Sequence, residues 1–298
     1  MKRKTTLILI ILMFGFNGQG QTVTHNIIRI GIFADIQYYN GPRAGSRHYR
    51  QSLDKIPEML SHLNTEDLSF LVELGDRIDR DYKSFKAVED LLNESRHPVI
   101  FVPGNHDYSV STLNKLRITA KSGYLKGYHS RVIGNWQIIF LNGMDNSMIA
   151  HPWFSLKYWK ARSKLKVLKE ANAPNAYDWN GGLGQKQTDW LKTQLDMARE
   201  KKKNLLVFCH QPIFPGNAHN LWDYEYMLQL LSEFPKEVWW ISGHDHRGGY
   251  QEVNGVHLLT LRGMVEGFEY SYGILELQED KVNLIGFGDQ PDLEELMK

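Results

Sequence analysis

The sequence predicts an α/β sandwich of mixed β-sheet with helices covering both outer faces. Short apolar, largely β-branched runs end in turn residues along most of the chain. In the first half these runs alternate with segments of helical periodicity, and near the end three follow one another with no helix between. The 298 residues are 42% hydrophobic and 23% charged, which supplies a substantial core and excludes disorder and coiled coil.

Ile27 to Ala34 reads as a buried strand ending at Asp35. Tyr49, Leu53, Ile56, Leu60 and Leu63 share helical spacing and place a helix over Ser46 to His62. Phe70 to Leu74 predicts a strand running into Gly75-Asp76. Phe85, Val88, Leu91 and Leu92 mark the next helix, and Val99 to Val102 the next strand. Tyr128 to Ile133 and Trp136 to Leu141 predict two strands turning at Gly134-Asn135. Gln185 to Arg199 predicts a helix with Trp190, Leu191 and Leu195 on one side. Leu205 to Cys209, Val238 to Ser242, Val256 to Leu261, Gly273 to Leu277 and Val282 to Gly286 complete a strand-rich second half. Residues 143–182 have irregular periodicity and read as an aromatic-rich insertion in a single domain spanning 21–298.

The first 20 residues stand apart. Lys2-Arg3-Lys4, an apolar run from Leu7 to Phe16 and Gly18-Gln19-Gly20 have the layout of a signal peptide cut before Gln21. That predicts an exported protein, periplasmic or secreted, with no stable membrane anchor in the mature chain. The apolar run is shorter than the ~20 residues that cross a bilayer. Cys209 is the sole cysteine, so no disulfide forms within one chain. Net charge is +1 with Lys and Arg scattered, which lacks the footprint of a nucleic-acid binder and points to a small-molecule partner.

Five segments pair metal-ligating side chains with turn signals: Asp35-Ile36-Gln37, Gly75-Asp76-Arg77-Ile78-Asp79, Gly104-Asn105-His106-Asp107, Cys209-His210 and Gly243-His244-Asp245-His246. Each alone reads as an ordinary turn or a structural side chain. Together they predict a metal centre in the crevice beyond the strand ends, where α/β sheets place ligands. Oxygen and imidazole donors suit Mn²⁺, Fe²⁺ or Zn²⁺, and the single cysteine excludes a thiolate site. A pair of such ions, ~3.5–4 Å apart, needs a shared carboxylate, a role Asp76 fits.

These segments resemble the calcineurin-like metallophosphoesterases, whose pattern is D-x-H, GD-x-x-D, GNH[D/E], a late H and GH-x-H. Gln37 departs from that pattern, and Gln there resembles the manganese-dependent ADP-ribose/CDP-alcohol diphosphatase group. Tyr49-Arg50-Gln51-Ser52-Leu53, Asn180-Gly181-Gly182 with Gln185, Gln187, Trp190 and Leu191, and His244-Asp245-His246-Arg247-Gly248-Gly249-Tyr250 resemble segments of the same group. The likeness runs from about Arg29 to about Tyr272.

The resemblance implies a four-layer αββα sandwich of two mixed sheets and two divalent ions, Mn²⁺ or, alternatively, Fe²⁺ or Zn²⁺. Asp35, Gln37, Asp76 and His246 would hold one ion, and Asp76, Asn105, His210 and His244 the other. It implies hydrolysis of the diphosphate in a nucleoside-diphosphate conjugate through a metal-bridging hydroxide. The rivals are a broad-range phosphodiesterase or phosphomonoesterase and a non-catalytic binding module. A purple acid phosphatase is disfavoured, because Asp79 stands where that class has a tyrosine ligand.

His106 follows a ligand and is the candidate for protonating or stabilising the leaving oxygen, with Asp107 orienting its imidazole. Asp79 is expected behind the ligands, bracing one of them or the adjacent turn. Arg43, Arg47, His48, Arg50 and Arg247 are candidates for phosphate binding. Trp153, Phe154, Tyr158, Trp159, Tyr177 and Trp179 of the insertion are expected to pack a satellite core, with base stacking as the alternative. Lys157, Lys160, Arg162, Lys164 and Lys166 read as a solvated face.

Overall fold

The structure, a computed structural model, describes residues 27–279 and 281–297. The predicted signal peptide lies outside these residues. The elements follow in the order β1 (Ile28–Phe33), α1 (Ser52–Leu63), β2 (Phe70–Glu73), α2 (Ser84–Leu92), β3 (Val99–Phe101), α3 (Thr112–Lys121), β4 (His129–Ile133) and β5 (Trp136–Phe140). Then come α4 (Leu156–Glu170), α5 (Gln185–Glu200), β6 (Asn204–Phe208), α6 (Tyr224–Ser232), β7 (Val238–Ser242), β8 (Arg247–Val253), β9 (Val256–Arg262), β10 (Ser271–Leu277), β11 (Val282–Gly288) and α7 (Leu293–Leu296).

The strands form a five-stranded sheet, β11-β10-β1-β2-β3, and a six-stranded sheet, β4-β5-β6-β7-β9-β8. Both are mixed: β1, β2 and β3 run parallel, as do β5, β6, β7 and β9, while β10, β11, β4 and β8 join antiparallel. Alternation along each strand explains the layering. Ile30 and Ile32 of β1, Phe70 and Val72 of β2, Trp136 and Ile138 of β5, and Leu206 and Phe208 of β6 fill one core between the sheets. The intervening residues face outward. Phe33 and Leu71 meet Ile56, Met59, Leu60 and Val88 of α1 and α2, whereas Ile139, Leu205 and Val207 meet Leu191 and Leu195 of α5 and Leu231 of α6. The four-layer αββα sandwich is therefore present.

Sequence patterning misplaced or missed elements for identifiable reasons. The first helix starts at Ser52 rather than Ser46, because residues before it bond elsewhere: Arg47 N–H donates to Ala44 O and His48 N–H to Val265 O. The insertion contains α4, whose fifteen residues bury only Ala161 and Leu165, too few to create an apolar period. β8 is an exposed edge strand carrying two glycines at positive φ, so neither alternation nor β-propensity marks it. The Gly134-Asn135 turn is as expected, with Ile133 opposite Trp136 and Gly134 at φ 53°.

His129 on β4 sits between two rings, 3.5 Å from Tyr124 and 4.5 Å from Phe140 between centroids, with both pairs stacked. Burial, helped by nearby Arg131, pushes its imidazole down to about 4. The unfolded chain therefore takes up this proton first as pH falls. The stability contribution is present above pH ~6.5 and is lost between there and about 4. His129→Phe should weaken the loss of stability on moving from neutral to mildly acidic pH. Urea unfolding of both proteins across that range checks this, and equal slopes would reject it.

Candidate metal centre

Each predicted ligand lies where a strand ends, and the chain turns there in an uncommon conformation. Asp35 (φ 56°), Gln37 (φ 43°), Asp76 (φ 57°) and His244 (φ 67°) all occupy the left-handed region without being glycine. Such residues cost on the order of 1–3 kcal/mol each unless their surroundings fix them, and they concentrate at functional sites. Here the turns fix one another. Asp35 N–H donates to Gly75 O at 3.0 Å, Gln37 N–H to Asp76 O at 2.7 Å, and Gly243 N–H to His210 O at 3.0 Å.

Two glycines make the close approach possible. A Cβ on Gly104 would collide with the backbone nitrogen and carboxylate of Asp76, and one on Gly243 would lie 2.6 Å from Asp35 Oδ2. Gly104→Ala must therefore push Asp76 aside. It should lower stability by about 1–3 kcal/mol, as overpacking does, and lower activity further than that loss explains. Thermal unfolding and initial rates on the same preparation check this; wild-type values in both would contradict the packing.

Asp76 is the hub. Its Oδ1 accepts from His106 N–H at 2.7 Å, and its Oδ2 lies 3.2 Å from Gln37 Nε2 and 3.3 Å from His210 Nε2. His210 Nδ1–H donates to Leu74 O at 2.6 Å, which directs Nε2 inward, 3.2 Å from Asn105 Oδ1. Asp76, His210 and His244 are all buried and bring candidate ligand atoms within 4.8 Å of one another. On the other side, His246 Nε2 is 3.3 Å from Asp35 Oδ1 and 2.9 Å from Gln37 Nε2. All seven predicted ligands thus converge on one crevice.

The donors suit divalent cations. Gln37 Oε1 is buried with no hydrogen-bond partner, and Asp35 Oδ1 is buried with only the His246 ring beside it, an arrangement that a coordinated cation relieves. Burial opposes charge on the imidazoles, yet neighbouring carboxylates prevail: Asp76 and Asp35 raise His210 to about 10, and Asp35 with Glu266 raises His246 to about 9. Asp76, although buried, is held far below the usual carboxylate range by His210, His106 and His244. His244 goes the other way, lowered by burial and then by His210.

The calcineurin-like phosphoesterase family pattern matches residues 28–248. The chain belongs to the calcineurin-like phosphoesterase family. This phosphoesterase is a metal-dependent phosphoester hydrolase by membership and by its donor set. It is 28% identical to the manganese-dependent ADP-ribose/CDP-alcohol diphosphatase of Xenopus laevis, over 91% of this chain and 90% of that one. The Arabidopsis thaliana protein of the same name is 27% identical over 90% of this chain and 96% of its own. A dimetal phosphatase from Danio rerio shares the fold with a TM-score of 0.80 and 24% identity, covering 89% of this chain and 98% of that chain.

His106 is positioned differently from expectation. Its Nδ1 lies 3.1 Å from both the carbonyl oxygen and Oδ1 of Asp79, and the side chain remains 25% exposed at the mouth. Asp79, not Asp107, orients it. Asp107 instead accepts from the backbone N–H groups of Gly104 (2.8 Å), Asp76 (2.9 Å) and Ile78 (3.4 Å), pinning two ligand turns together. Its carboxylate is consumed by those donors and has no catalytic contact. Burial opposes protonation of His106, but Asp76 and Asp79 outweigh it and raise its pKa.

Among the proposed phosphate binders, His48 is corrected: it is buried, with its ring 4.4 Å from that of Phe268. Arg247 is exposed but makes a bidentate pair with Asp245, at 2.9 and 2.7 Å. Arg50 donates to Asn40, and Arg47 lies 3.7 Å from Glu266. Arg43 is exposed. The side chains of Arg50, Arg247 and Arg47 thus engage Asn40, Asp245 and Glu266 rather than the seven candidate ligands.

Four residues at this phosphoesterase's centre had no assigned role in the sequence. Glu266 Oε1 accepts from His246 Nδ1 at 2.6 Å and fixes that ring. Buried Lys55 holds the same loop, donating to the carbonyls of Met264, Glu266 and Gly267. Asn180 Oδ1 lies 2.9 Å from His244 Nε2, leaving Nδ1 as the free ring nitrogen. His219 places its ring 5.2 Å from that of His244. Asn180 sits in the resemblance segment Asn180-Gly181-Gly182, the one available signal; Glu266 and His219 lie in loops without a pattern.

Proposed function

We propose that this enzyme hydrolyses the diphosphate of nucleoside-diphosphate conjugates, of the ADP-ribose or CDP-alcohol type, to two phosphomonoesters. The observation that carries the reading is Gln37, an amide set between Asp76 and His246 where the usual family pattern has histidine. Relatives named for this activity align over about nine-tenths of the chain, which supports the same substrate class and manganese.

In this reading Asp35, Gln37, Asp76 and His246 hold one ion, and Asp76, Asn105, His210 and His244 the other. When bound, the pair supplies a hydroxide nucleophile and neutralises charge that develops on the phosphoryl oxygens. The chain's own residues do the remainder. Glu266 and Asn180 hold the rings of His246 and His244, while Leu74 O does the same for His210. Asp79 holds His106 at Nδ1, so that Nε2 presents a proton to the departing phosphate oxygen.

The test is a substrate panel with Mn²⁺: ADP-ribose, CDP-choline, a cyclic nucleotide and p-nitrophenyl phosphate. Faster cleavage of the two diphosphates is expected. Preference for the monoester would reject the diphosphatase reading, and no turnover of any with metal bound would reject catalysis. Export is also proposed, from the Lys2-Arg3-Lys4 segment and the apolar run after it. N-terminal sequencing of protein from the exported fraction should begin at Gln21.

A further inference from the structure

Helix α4 contributes little to the core. Ala161 and Leu165 pack on Trp222, while most of its remaining surface is open. Trp153 (66% exposed), Phe154 (61%) and Leu156 (82%) project where it begins, and Val167 is also exposed further along. Helix α3 adjoins this surface: its one buried side chain, Ile118, clusters with Ala150 and Ile149, just before Trp153. Leu113 and Leu116 of α3 are exposed as well. The cluster of exposed apolar side chains where α4 begins marks an interaction face.

Its charge is lopsided. The sequences of α3 and α4 together hold nine Lys and Arg against one acidic residue, Glu170, in a chain whose net charge is only +1. Lys157, Lys164 and Lys121 pair with Asp145, Asp223 and Glu89 of neighbouring segments. Lys160 and Lys169 make no ion pair among the described residues.

We propose that α3, α4 and the Trp153–Leu156 turn form a docking surface for a membrane bearing anionic lipids. The chemistry favours this occupant over others. Lys and Arg meet headgroup phosphates while Trp, Phe and Leu enter the boundary beneath them. Exposed aliphatic side chains have no use against a nucleic-acid backbone, and a second copy of this face would meet like charge. No described helix is long and apolar enough to cross a membrane, and the attachment proposed is to the surface. The face borders the metal centre through Trp222, whose backbone N–H donates to Gly181 O at 2.7 Å, next to Asn180. The proposal is independent of which diphosphate is cleaved.

Flotation of the full chain with vesicles tests it, using phosphatidylcholine alone and phosphatidylcholine mixed with phosphatidylglycerol. The full chain should float with the mixed vesicles far more than with the neutral ones, less so at high salt. The variant W153S/F154S/L156S, and separately K160E/K169E, should lose about tenfold or more of this binding while hydrolysing a soluble substrate at the wild-type rate. Equal flotation with both vesicle types, or undiminished binding by both variants, would overturn the proposal, because the apolar N-terminal segment is common to all of them. Absence of flotation would also overturn it, and retention of a single-stranded oligonucleotide in its place would assign the face to nucleic acid.

Discussion

Replacing Asp76 with Asn is expected to lower kcat/KM for a diphosphate substrate by about a thousandfold or more. Removal of one preorganised group acting on transition-state charge alone costs about 10²–10³-fold, and Asp76 serves the whole centre. It touches the His106 backbone, Gln37 and His210 at once. Asn retains the shape and one oxygen but loses the charge and the second oxygen that a shared ligand requires. Metal binding should fall with activity, from two ions per chain to fewer. Its left-handed backbone tolerates Asn as readily as Asp, so the fold should survive. Initial rates, metal content and a thermal melt on one preparation check all three. Full activity in a folded D76N protein would refute the shared-ligand role.

The second large effect is at His106. His106→Ala should lower turnover by about 10²–10⁴-fold, the usual range for a positioned acid or base, and leave metal content intact. The separation follows from geometry. His106 reaches Asp76 through its backbone N–H, which alanine keeps, while its side chain contacts Asp79 and opens to the mouth. Asp79→Asn should give a smaller loss of the same kind, because it leaves the imidazole in place but removes the charge that favours its protonation. Near-normal turnover of H106A with full metal content would make His106 a structural residue.

The architecture was legible in the sequence wherever strands are buried. Alternating Ile30/Ile32 against Gly31/Phe33 is written into the chain, and the strand-end turns that follow carry the ligands. Elements with little buried surface left weaker traces. Helix α4 and strand β8 escaped because they spend most of their residues on solvent. The seven candidate ligands could be picked out because, although each alone reads as an ordinary turn or structural side chain, five such segments together at strand ends do not. Their supports were harder to see. The bond from Glu266 to His246 spans twenty residues and a strand pair, and nothing local announces it. Asp107 misled for the opposite reason: its neighbour in sequence is His106, but the 3-10 turn over His106–Tyr108 sends the two side chains to different partners.

The chemistry follows from that placement. Four ligand or turn residues are held in strained backbone, and the bonds between their turns hold them there. Buried carboxylates and imidazoles are crowded together, with the Gln37 amide oxygen still unpartnered, in a way that an apolar core would not tolerate.

³¹P NMR of ADP-ribose incubated with the enzyme and Mn²⁺ tests the diphosphatase reading most directly. Loss of the diphosphate signals and growth of two phosphomonoester signals in equal amounts is the predicted result. An intact diphosphate, together with release of inorganic phosphate from a monoester under the same conditions, would contradict it.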